Sequence, residues 1–103
     1  MDFKVVVTDN ALCQLENITD YIVYRLKNKQ AANGVLEDFQ KAIRELSYIA
    51  TSMQYCNDRY LAAKGYRKLA LEKHNYVLLY QVHNDIVFVN GIFHMLENYR
   101  DKL

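Results

Sequence analysis

The chain has 103 residues, of which 51% are hydrophobic and 24% are charged, and its formal net charge is +1. This length fits one domain with a single core, and the composition excludes an intrinsically disordered protein. The small net charge is no argument for nucleic-acid binding, and no apolar run in the sequence approaches the ~20 residues of a membrane span.

The first half of the chain predicts one strand and two helices. Residues 3–9 (FKVVVTD) are rich in β-branched side chains and predict a strand, after which Thr8 or Asp9 can cap a helix. The apolar residues that follow are spaced three or four apart, as on one face of a helix: Leu12, Leu15, Ile18, Ile22 and Leu26. A second such stripe, in a helix that begins near Gln30, consists of Val35, Phe39, Ala42, Ile43 and Leu46. The break between the stripes is short, so the two helices should form an antiparallel hairpin.

The second half of the chain predicts a long loop and three strands. Residues 50–64 show neither helical nor strand periodicity and predict the loop. Three strand-like runs follow, at 65–72, 75–83 and 86–93. Asn84 and Asp85 stand between the last two runs and predict a two-residue hairpin turn. Residues 94–103 have helical composition, but a segment this short forms a stable helix only if it packs against the body.

These elements predict one α+β domain that spans residues 1–103. The order β-α-α-β-β-β indicates an N-terminal strand, an antiparallel helical hairpin packed on one face of a mostly antiparallel four-stranded sheet, and a short C-terminal helical tail. Because the helices cover one face only, the other face of the sheet should stay uncovered. Nine tyrosines in so small a domain suit an open, half-polar surface and favour a binding protein over a deep-pocket enzyme.

Three segments carry a resemblance to a known family: YRKL at 66–69, HNYVLLYQV at 74–82 and GIFHMLENYRDKL at 91–103. Together with the strand-led helical hairpin before them, they resemble the RelE/ParE superfamily of bacterial toxins over nearly the whole chain. The resemblance implies a RelE/ParE-like fold and the toxin of a type II toxin–antitoxin system. Such a toxin acts in the cytoplasm, in growth inhibition or plasmid stabilisation, and is held inactive by a cognate antitoxin protein. ParE-type members inhibit DNA gyrase, whereas RelE-type members cut messenger RNA on the ribosome.

One position separates the two branches of the superfamily. RelE-type ribonucleases carry an arginine in an HR(V/L)xY segment of the third strand, and alignment of its tyrosine with Tyr80 places Val77 at the arginine's position. A valine cannot donate the charge-assisted hydrogen bonds that a phosphate under attack requires. The near-neutral charge also differs from the strongly basic ribosome-dependent members. The resemblance therefore favours the ParE branch and a gyrase inhibitor that is not a hydrolase.

The residues predicted to contact the target or the antitoxin are Arg67, Lys68, His74, His94, Tyr99 and Arg100. Arg67 and Lys68 are neighbours on a strand, so their side chains lie on opposite faces of the sheet and only one can belong to a given surface. His74 falls in the turn between two predicted strands, where a histidine is more often solvated than catalytic. His94 ends the last strand, where it either moves protons or hydrogen-bonds to the backbone.

Two alternatives stand beside the gyrase hypothesis. In a ribosome-dependent endoribonuclease, Arg67 would hold the scissile phosphate, while His94 and Tyr99 would handle protons and stacking on ribosome-bound messenger RNA. In a non-toxic remnant, only antitoxin binding would survive. In each case we expect the antitoxin on the open sheet or in the groove beside the helices, by helix docking, strand addition or both. A homodimer and a heterotetramer with the antitoxin are both compatible with the sequence.

Other features indicate structure and not chemistry. Tyr76 and Tyr80 share one face of a predicted strand with Leu78, a pattern typical of a core. Cys13 and Cys56 lack CxxC spacing and companion histidines, so we expect reduced, packed thiols. The sequence predicts no metal site and no cofactor.

Overall fold

Three α-helices and four strands form the chain in the computed structural model, which describes residues 2–103. In chain order they are β1 (Lys4–Val7), α1 (Asp9–Asp20), α2 (Lys29–Ile49), α3 (Arg59–Ala63), β2 (Arg67–Ala70), β3 (Tyr76–His83) and β4 (Ile86–His94). A π-helical turn (Tyr21–Arg25) extends α1, and 3₁₀ turns lie at Ala50–Ser52 and Tyr99–Lys102. The predicted α+β architecture is confirmed, including a short helical turn at the C-terminal end.

The sheet is mixed, with the strand order β1-β4-β3-β2. The pairs β2–β3 and β3–β4 are antiparallel, whereas β1 lies parallel to β4, with Val5 opposite Val87. The pairing of β3 with β4 shifts register between Leu79 and Tyr80, which marks a β-bulge. The prediction of a mostly antiparallel four-stranded sheet is confirmed. The parallel position of β1 beside β4 depends on a contact between the two ends of the chain, for which local periodicity carries no signal.

Side-chain caps define the beginnings of both long helices. Thr8 Oγ1 accepts a hydrogen bond from the Ala11 N–H at 3.3 Å, and Asn28 Oδ1 accepts one from the Ala31 N–H at 3.0 Å. Each cap satisfies a backbone donor that has no partner within its helix. Of the two predicted cap residues, Thr8 and Asp9, Thr8 is the one that caps α1. The helix α2 begins one residue before the predicted Gln30.

Two residues of the first predicted stripe do not belong to the core. Leu12 is 48% exposed, because Ala11 and Leu15, one helical turn apart, form the buried side of α1. Leu26 is 57% exposed and follows the π-helical turn, where the wider winding rotates later residues around the helix axis. The stripe on α2 is buried more regularly, from Val35 to Leu46.

Both faces of the sheet are covered, so the prediction of an uncovered face is wrong. The face toward α1 and α2, here the helix face, holds the larger core, with the fully buried residues Val35, Leu46, Leu78, Tyr80 and Ile92. The opposite face, here the back face, holds a smaller cluster made of Cys56, Leu61, Tyr66, Val77, Leu79 and Phe93. The helix α3 and the chain before it fold over this face, so the prediction of a loop throughout residues 50–64 is also wrong. The cover is needed because alternate residues of β3 and β4 are apolar on both faces.

Tyr80 connects the helix face to the segment that crosses to the back face. Its side chain is fully buried, and its O–H donates to the Ala50 carbonyl at 2.7 Å. Burial raises the pKa of Tyr80 to about 12. The expectation that Tyr76 and Tyr80 belong to the core is therefore confirmed, since Tyr76 is partly buried and packs against the same cluster.

Candidate functional site

Arg67 begins β2 on the helix face, opposite Tyr80. Its Nη1 donates to the Met53 carbonyl at 2.5 Å and lies 3.4 Å from the Thr51 carbonyl. Its guanidinium carbon lies 4.0 Å from the centre of the Tyr55 ring, a cation–π contact. The guanidinium is therefore engaged in holding residues 51–55 against the sheet edge.

Lys68 and Tyr99 lie together on the back face. The position of Lys68 is the expected one, because it follows Arg67 on β2 and successive side chains of a strand lie on opposite faces. They line a cavity of about 360 Å³, here the back-face cavity, together with Met53, Ala70, Val77 and Met95. The Tyr99 ring packs against Phe93 with a centroid distance of 5.6 Å. Burial is the main cause that raises the pKa of Tyr99, so the phenol stays protonated at neutral pH. The back-face cavity thus combines an apolar lining with one ammonium group and one hydroxyl.

Arg100 contacts the beginning of α3. Its Nη1 lies 3.6 Å from Asp58 Oδ2, and its guanidinium carbon lies 5.0 Å from the centre of the Tyr60 ring. Both Arg100 and Tyr60 are exposed, so the pair is accessible to a partner. This contact holds the C-terminal 3₁₀ turn near the helix that covers the back face.

His74, in the turn between β2 and β3, is bonded to a buried aspartate. The Asp38 side chain is only 3% exposed, and its Oδ2 lies 2.8 Å from His74 Nδ1 and 2.9 Å from the Lys73 backbone N. Burial alone would raise the pKa of Asp38, but hydrogen bonds from His74 and from the Lys73 N–H outweigh it and lower the pKa. An ionised carboxylate only accepts, so His74 Nδ1 carries the donated proton. His74 is thus partly exposed, as expected for a turn histidine, and is also hydrogen-bonded to a buried carboxylate, which the sequence did not predict.

His94 is the last residue of β4, as the sequence predicted. Its Nδ1 accepts a hydrogen bond from the Leu96 N–H at 3.2 Å, and its own backbone N–H donates to Glu97 Oε1 at 3.1 Å. The ring lies edge-on to Tyr76, with centroids 5.7 Å apart. Both hydrogen bonds join His94 to residues two or three positions later in the sequence. They match one of the two roles predicted for His94, that of a strand-ending residue bonded to the backbone.

His74 and His94 line one cavity of about 340 Å³, here the helix-face cavity. It lies between the hairpin of α1 and α2 and the end of the sheet. Its apolar lining includes Ile22, Leu26, Ala31 and Val35.

The three residues of the nuclease hypothesis are not brought together. In the sheet, Arg67 lies opposite Tyr80 and His94 lies opposite Tyr76. Tyr76 and Tyr80 are four residues apart on β3, a separation of ~13 Å along the strand. Arg67 and His94 both lie on the helix face, whereas Tyr99 lies on the back face. The six candidate residues therefore divide into two cavities and two separate arginine sites.

Sequence reasoning missed two acidic residues that organise these sites. Asp38 lies three residues after Val35 and four before Ala42, so an acidic residue inside the apolar stripe of α2 was the available signal. Glu97 is paired with Lys102, and this hydrogen bond is the main cause that lowers its pKa. The signal for Glu97 was weak, because the tail shows no clear periodicity.

Residues 2–103 contain no group of three or more His, Cys, Asp or Glu side chains placed to hold a metal ion. Within the same range, no helix has the length and apolar character to cross a bilayer. Both cysteines are free, but only Cys56 is buried; Cys13 is exposed, so the expectation of two packed thiols is wrong for Cys13.

Comparison with known proteins gives consistent results. The profile of a family described as "ParE toxin of type II toxin-antitoxin system, parDE" matches residues 5–99. Among solved structures, the fold is similar to a chain of the chromosomal ParDE TA system from P. aeruginosa, with a TM-score of 0.74 and 20% identity over 89% of this chain and 95% of that one. It is also similar to a chain of the RelBE2 toxin–antitoxin complex from Mycobacterium tuberculosis, with a TM-score of 0.59 and 16% identity over 91% and 99%. No curated protein sequence matches the chain.

Proposed function

This chain belongs to the ParE family of toxins from type II toxin–antitoxin systems, and we propose that it arrests growth by binding DNA gyrase without cutting nucleic acid. The solved relatives come from toxin–antitoxin systems, which supports a cognate antitoxin as its second partner. Gyrase binding would place its action in the bacterial cytoplasm.

The observation that carries this proposal is the separation of Arg67, His94 and Tyr99. Phosphodiester cleavage needs a cation at the phosphate and a proton donor within hydrogen-bond reach of the same atoms. The Arg67 guanidinium is instead engaged with backbone carbonyls at the sheet edge. Val77, at the position of the ribonuclease arginine, is buried. This arrangement favours action by binding.

We assign the two cavities to different partners. The back-face cavity, with Lys68 and Tyr99 and with Arg100 nearby, is the proposed contact with gyrase, because it exposes cations and aromatic side chains at one edge. The helix-face cavity, with His74 and His94, is the proposed contact with the antitoxin, because it lies in the predicted groove beside the helices. The antitoxin can thus bind without covering the proposed target surface.

A supercoiling assay with purified chain tests the assignment. We expect the chain at micromolar concentration to inhibit supercoiling of relaxed plasmid by gyrase, and the cognate antitoxin to relieve the inhibition. Lys68→Glu should weaken inhibition about tenfold, equivalent to ~1.4 kcal/mol of binding free energy. The matched control is Lys29→Glu, which makes the same charge change at an exposed position of α2 away from the cavity. Unchanged supercoiling with folded chain in excess would contradict the proposal.

One observation favours the endoribonuclease as the second candidate. Lys68 and Tyr99 place a cation and an aromatic ring beside one cavity, and this combination suits the binding of an unstacked base and its phosphate. Primer extension on translated messages would then reveal cuts that disappear with Tyr99→Ala. Normal growth on induction of the chain without antitoxin, with neither activity detected, would instead indicate the non-toxic remnant.

A further inference from the structure

A polar cavity of about 470 Å³, here the turn cavity, lies between α2 and the β2–β3 turn. Its lining includes Gly34 and Asp38 from the helix and His74 from the turn. The contact between Asp38 and His74 buries a charged side chain, and gyrase inhibition makes no use of it. This contact determines which nitrogen of the imidazole is free to react with a ligand in the turn cavity.

The neutral ring of His74 has its proton on Nδ1 and an unshared electron pair on Nε2. Nδ1 donates to the ionised Asp38 carboxylate at 2.8 Å, and a neutral imidazole carries only one N–H proton. Nε2 has no hydrogen-bond partner within residues 2–103. The neutral ring of His94 has the opposite arrangement, because its Nδ1 accepts from the Leu96 N–H and its proton therefore lies on Nε2. Of these two histidines, only His74 offers a nucleophilic Nε2.

Gly34 keeps the space beside this nitrogen open. A Cβ atom at position 34 would lie 3.5 Å from His74 Nε2 and 3.6 Å from its Cε1, which is ordinary contact distance, so packing does not require a glycine there. Glycine inside a helix costs stability relative to alanine, and Gly34 lies inside α2. The His74 side chain is 29% exposed, and a methyl group at position 34 would cover part of its Nε2.

The charges of the turn cavity suit a phosphoryl group. Arg44 and Lys73 line the cavity and form no ion pair within residues 2–103. The lining holds two carboxylates, of which Asp38 is bonded to His74, while Glu37 has no ion-pair partner in the same range. Guanidinium and ammonium groups bind phosphoryl oxygens by charge-assisted hydrogen bonds. Because two free cations face one free carboxylate, the cavity favours an anionic group beside His74.

We propose that His74 Nε2 is a phosphoryl acceptor, which takes the phosphoryl group of an N-phosphorylated donor such as a phosphoramidate. The electron pair of Nε2 attacks phosphorus and forms a new N–P bond. The N–P bond of the donor breaks, and its electron pair leaves on the donor nitrogen, which is already protonated and departs as the free amine. The bond that forms is of the same kind as the bond that breaks, so the transfer needs no further reactant.

The buried carboxylate has a defined part in this step. As Nε2 bonds to phosphorus, the imidazole ring becomes positively charged, and its Nδ1 proton stays in the hydrogen bond to Asp38. The ionised Asp38 stabilises the charge that develops on the ring, as the aspartate of a Ser-His-Asp triad does. Arg44 and Lys73 neutralise the phosphoryl oxygens. Asp38 is therefore a positioning residue for His74, and this site is independent of gyrase inhibition.

Labelling of the whole folded chain with potassium phosphoramidate at pH 8 tests the proposal. Peptide mass spectrometry gives the rate at each histidine, and phosphorus NMR identifies the nitrogen that is labelled. We expect His74 to be labelled on Nε2 at least about tenfold faster than His83, which is exposed but has no carboxylate partner within residues 2–103. His94 should be labelled more slowly than His74, because its Nε2 carries a proton.

Two neighbouring substitutions in α2 separate access to the imidazole from helix stability. Gly34→Ala and Asn33→Ala each replace a poor helix former with alanine, so both should raise the urea midpoint of unfolding. Only Gly34→Ala should slow the labelling of His74, by at least about fivefold, because its methyl group lies beside Nε2. Asn33 is exposed on the same helix and is the matched control. Asp38→Asn, with its fold verified by circular dichroism, should slow the labelling at least about tenfold.

Three results would overturn the phosphoryl-acceptor site. The first is equal labelling of His74 and His83, and the second is equal labelling of His74 in Gly34→Ala and Asn33→Ala. The third is labelling of His74 on Nδ1, because that nitrogen is available only if the hydrogen bond to Asp38 is absent. Selective labelling of His74 in a chain that leaves gyrase supercoiling unchanged would support this site and contradict the proposed function alone.

Discussion

Both faces of the sheet carry apolar side chains that must be buried, and different elements cover the two faces. On the helix face, α1 and α2 present long apolar stripes to the sheet. On the back face, a five-residue helix, irregular chain and the C-terminal turn cover Leu79 and Phe93, which are as deeply buried as any residue of the larger core. Irregular cover leaves openings at its edges, and the back-face cavity is one of them. A short, irregular cover can therefore bury residues fully while it exposes polar groups around them.

The largest expected effect tests whether the back face is a true core. Leu61→Ala, in α3, should lower the free energy of unfolding by about 2–5 kcal/mol, because the side chain is fully buried and its removal leaves a cavity. Leu46→Ala on the helix face should lower it by a similar amount. Urea unfolding followed by circular dichroism measures both.

Leu96→Ala is the control, since Leu96 is 91% exposed and its truncation should change little. A loss below about 1 kcal/mol for Leu61→Ala would mean that the back face is only loosely covered, close to the open sheet that the sequence predicted.

The next effect concerns the buried charge on the helix face. Asp38→Asn should lower the free energy of unfolding by about 1–3 kcal/mol at pH 7, because the variant lacks the ionised acceptor for His74 and the Lys73 N–H. The pKa of Asp38 is lowered from 3.8 in the folded chain, so its contribution is present above pH 3.8 and is lost as the pH falls through the folded value. Urea unfolding at pH 7, 5 and 3 should give a difference that is full at the first two values and reduced at the third.

Asp20→Asn, at an exposed position near the end of α1, is the matched control and should have little effect at each pH. A difference for Asp38→Asn that grew at pH 3 would contradict the assignment of a stabilising ionised carboxylate.

The same contrast explains what the sequence could predict. Periodicity predicted the helix face correctly, because α2 repeats its apolar residues every three or four positions. The back face depends on residues 56–66 folding over strands that lie later in the chain, and no local pattern encodes that contact. Among the candidate site residues, the alternation of side chains along a strand correctly predicted that Arg67 and Lys68 lie on opposite faces of the sheet. The pairing of His74 with Asp38 joins residues 36 positions apart and could not be read from spacing alone.

A smaller effect is expected where the two faces are connected. Tyr80→Phe removes the O–H that bonds to the Ala50 carbonyl, and should lower the free energy of unfolding by about 1–2 kcal/mol. Because burial raises the pKa of Tyr80 to about 12, its neutral form stabilises the fold below the ordinary value of 10.0 and this contribution is lost as the pH rises through about 12. Urea unfolding between pH 7 and 11 should therefore show a smaller alkaline loss for the variant. Tyr24→Phe, at a residue that is 73% exposed, should match the parent chain throughout.

The smallest effect is expected for an exposed ion pair between α2 and the β2–β3 turn, the same elements that Asp38 and His74 join by a buried contact. Lys41 of α2 forms an ion pair with Glu72, one helical turn beyond the connection from Asp38 to His74. The side chains of Lys41 and Glu72 are 48% and 56% exposed, so water and salt screen the attraction. Lys41→Ala should leave the urea midpoint unchanged within the error of the measurement, at low and at high salt. A loss as large as that of Asp38→Asn would mean that the exposed pair holds the β2–β3 turn. The helix-face cavity would then depend on ionic strength, and His74 would be positioned by surface charge instead of by the buried carboxylate of Asp38.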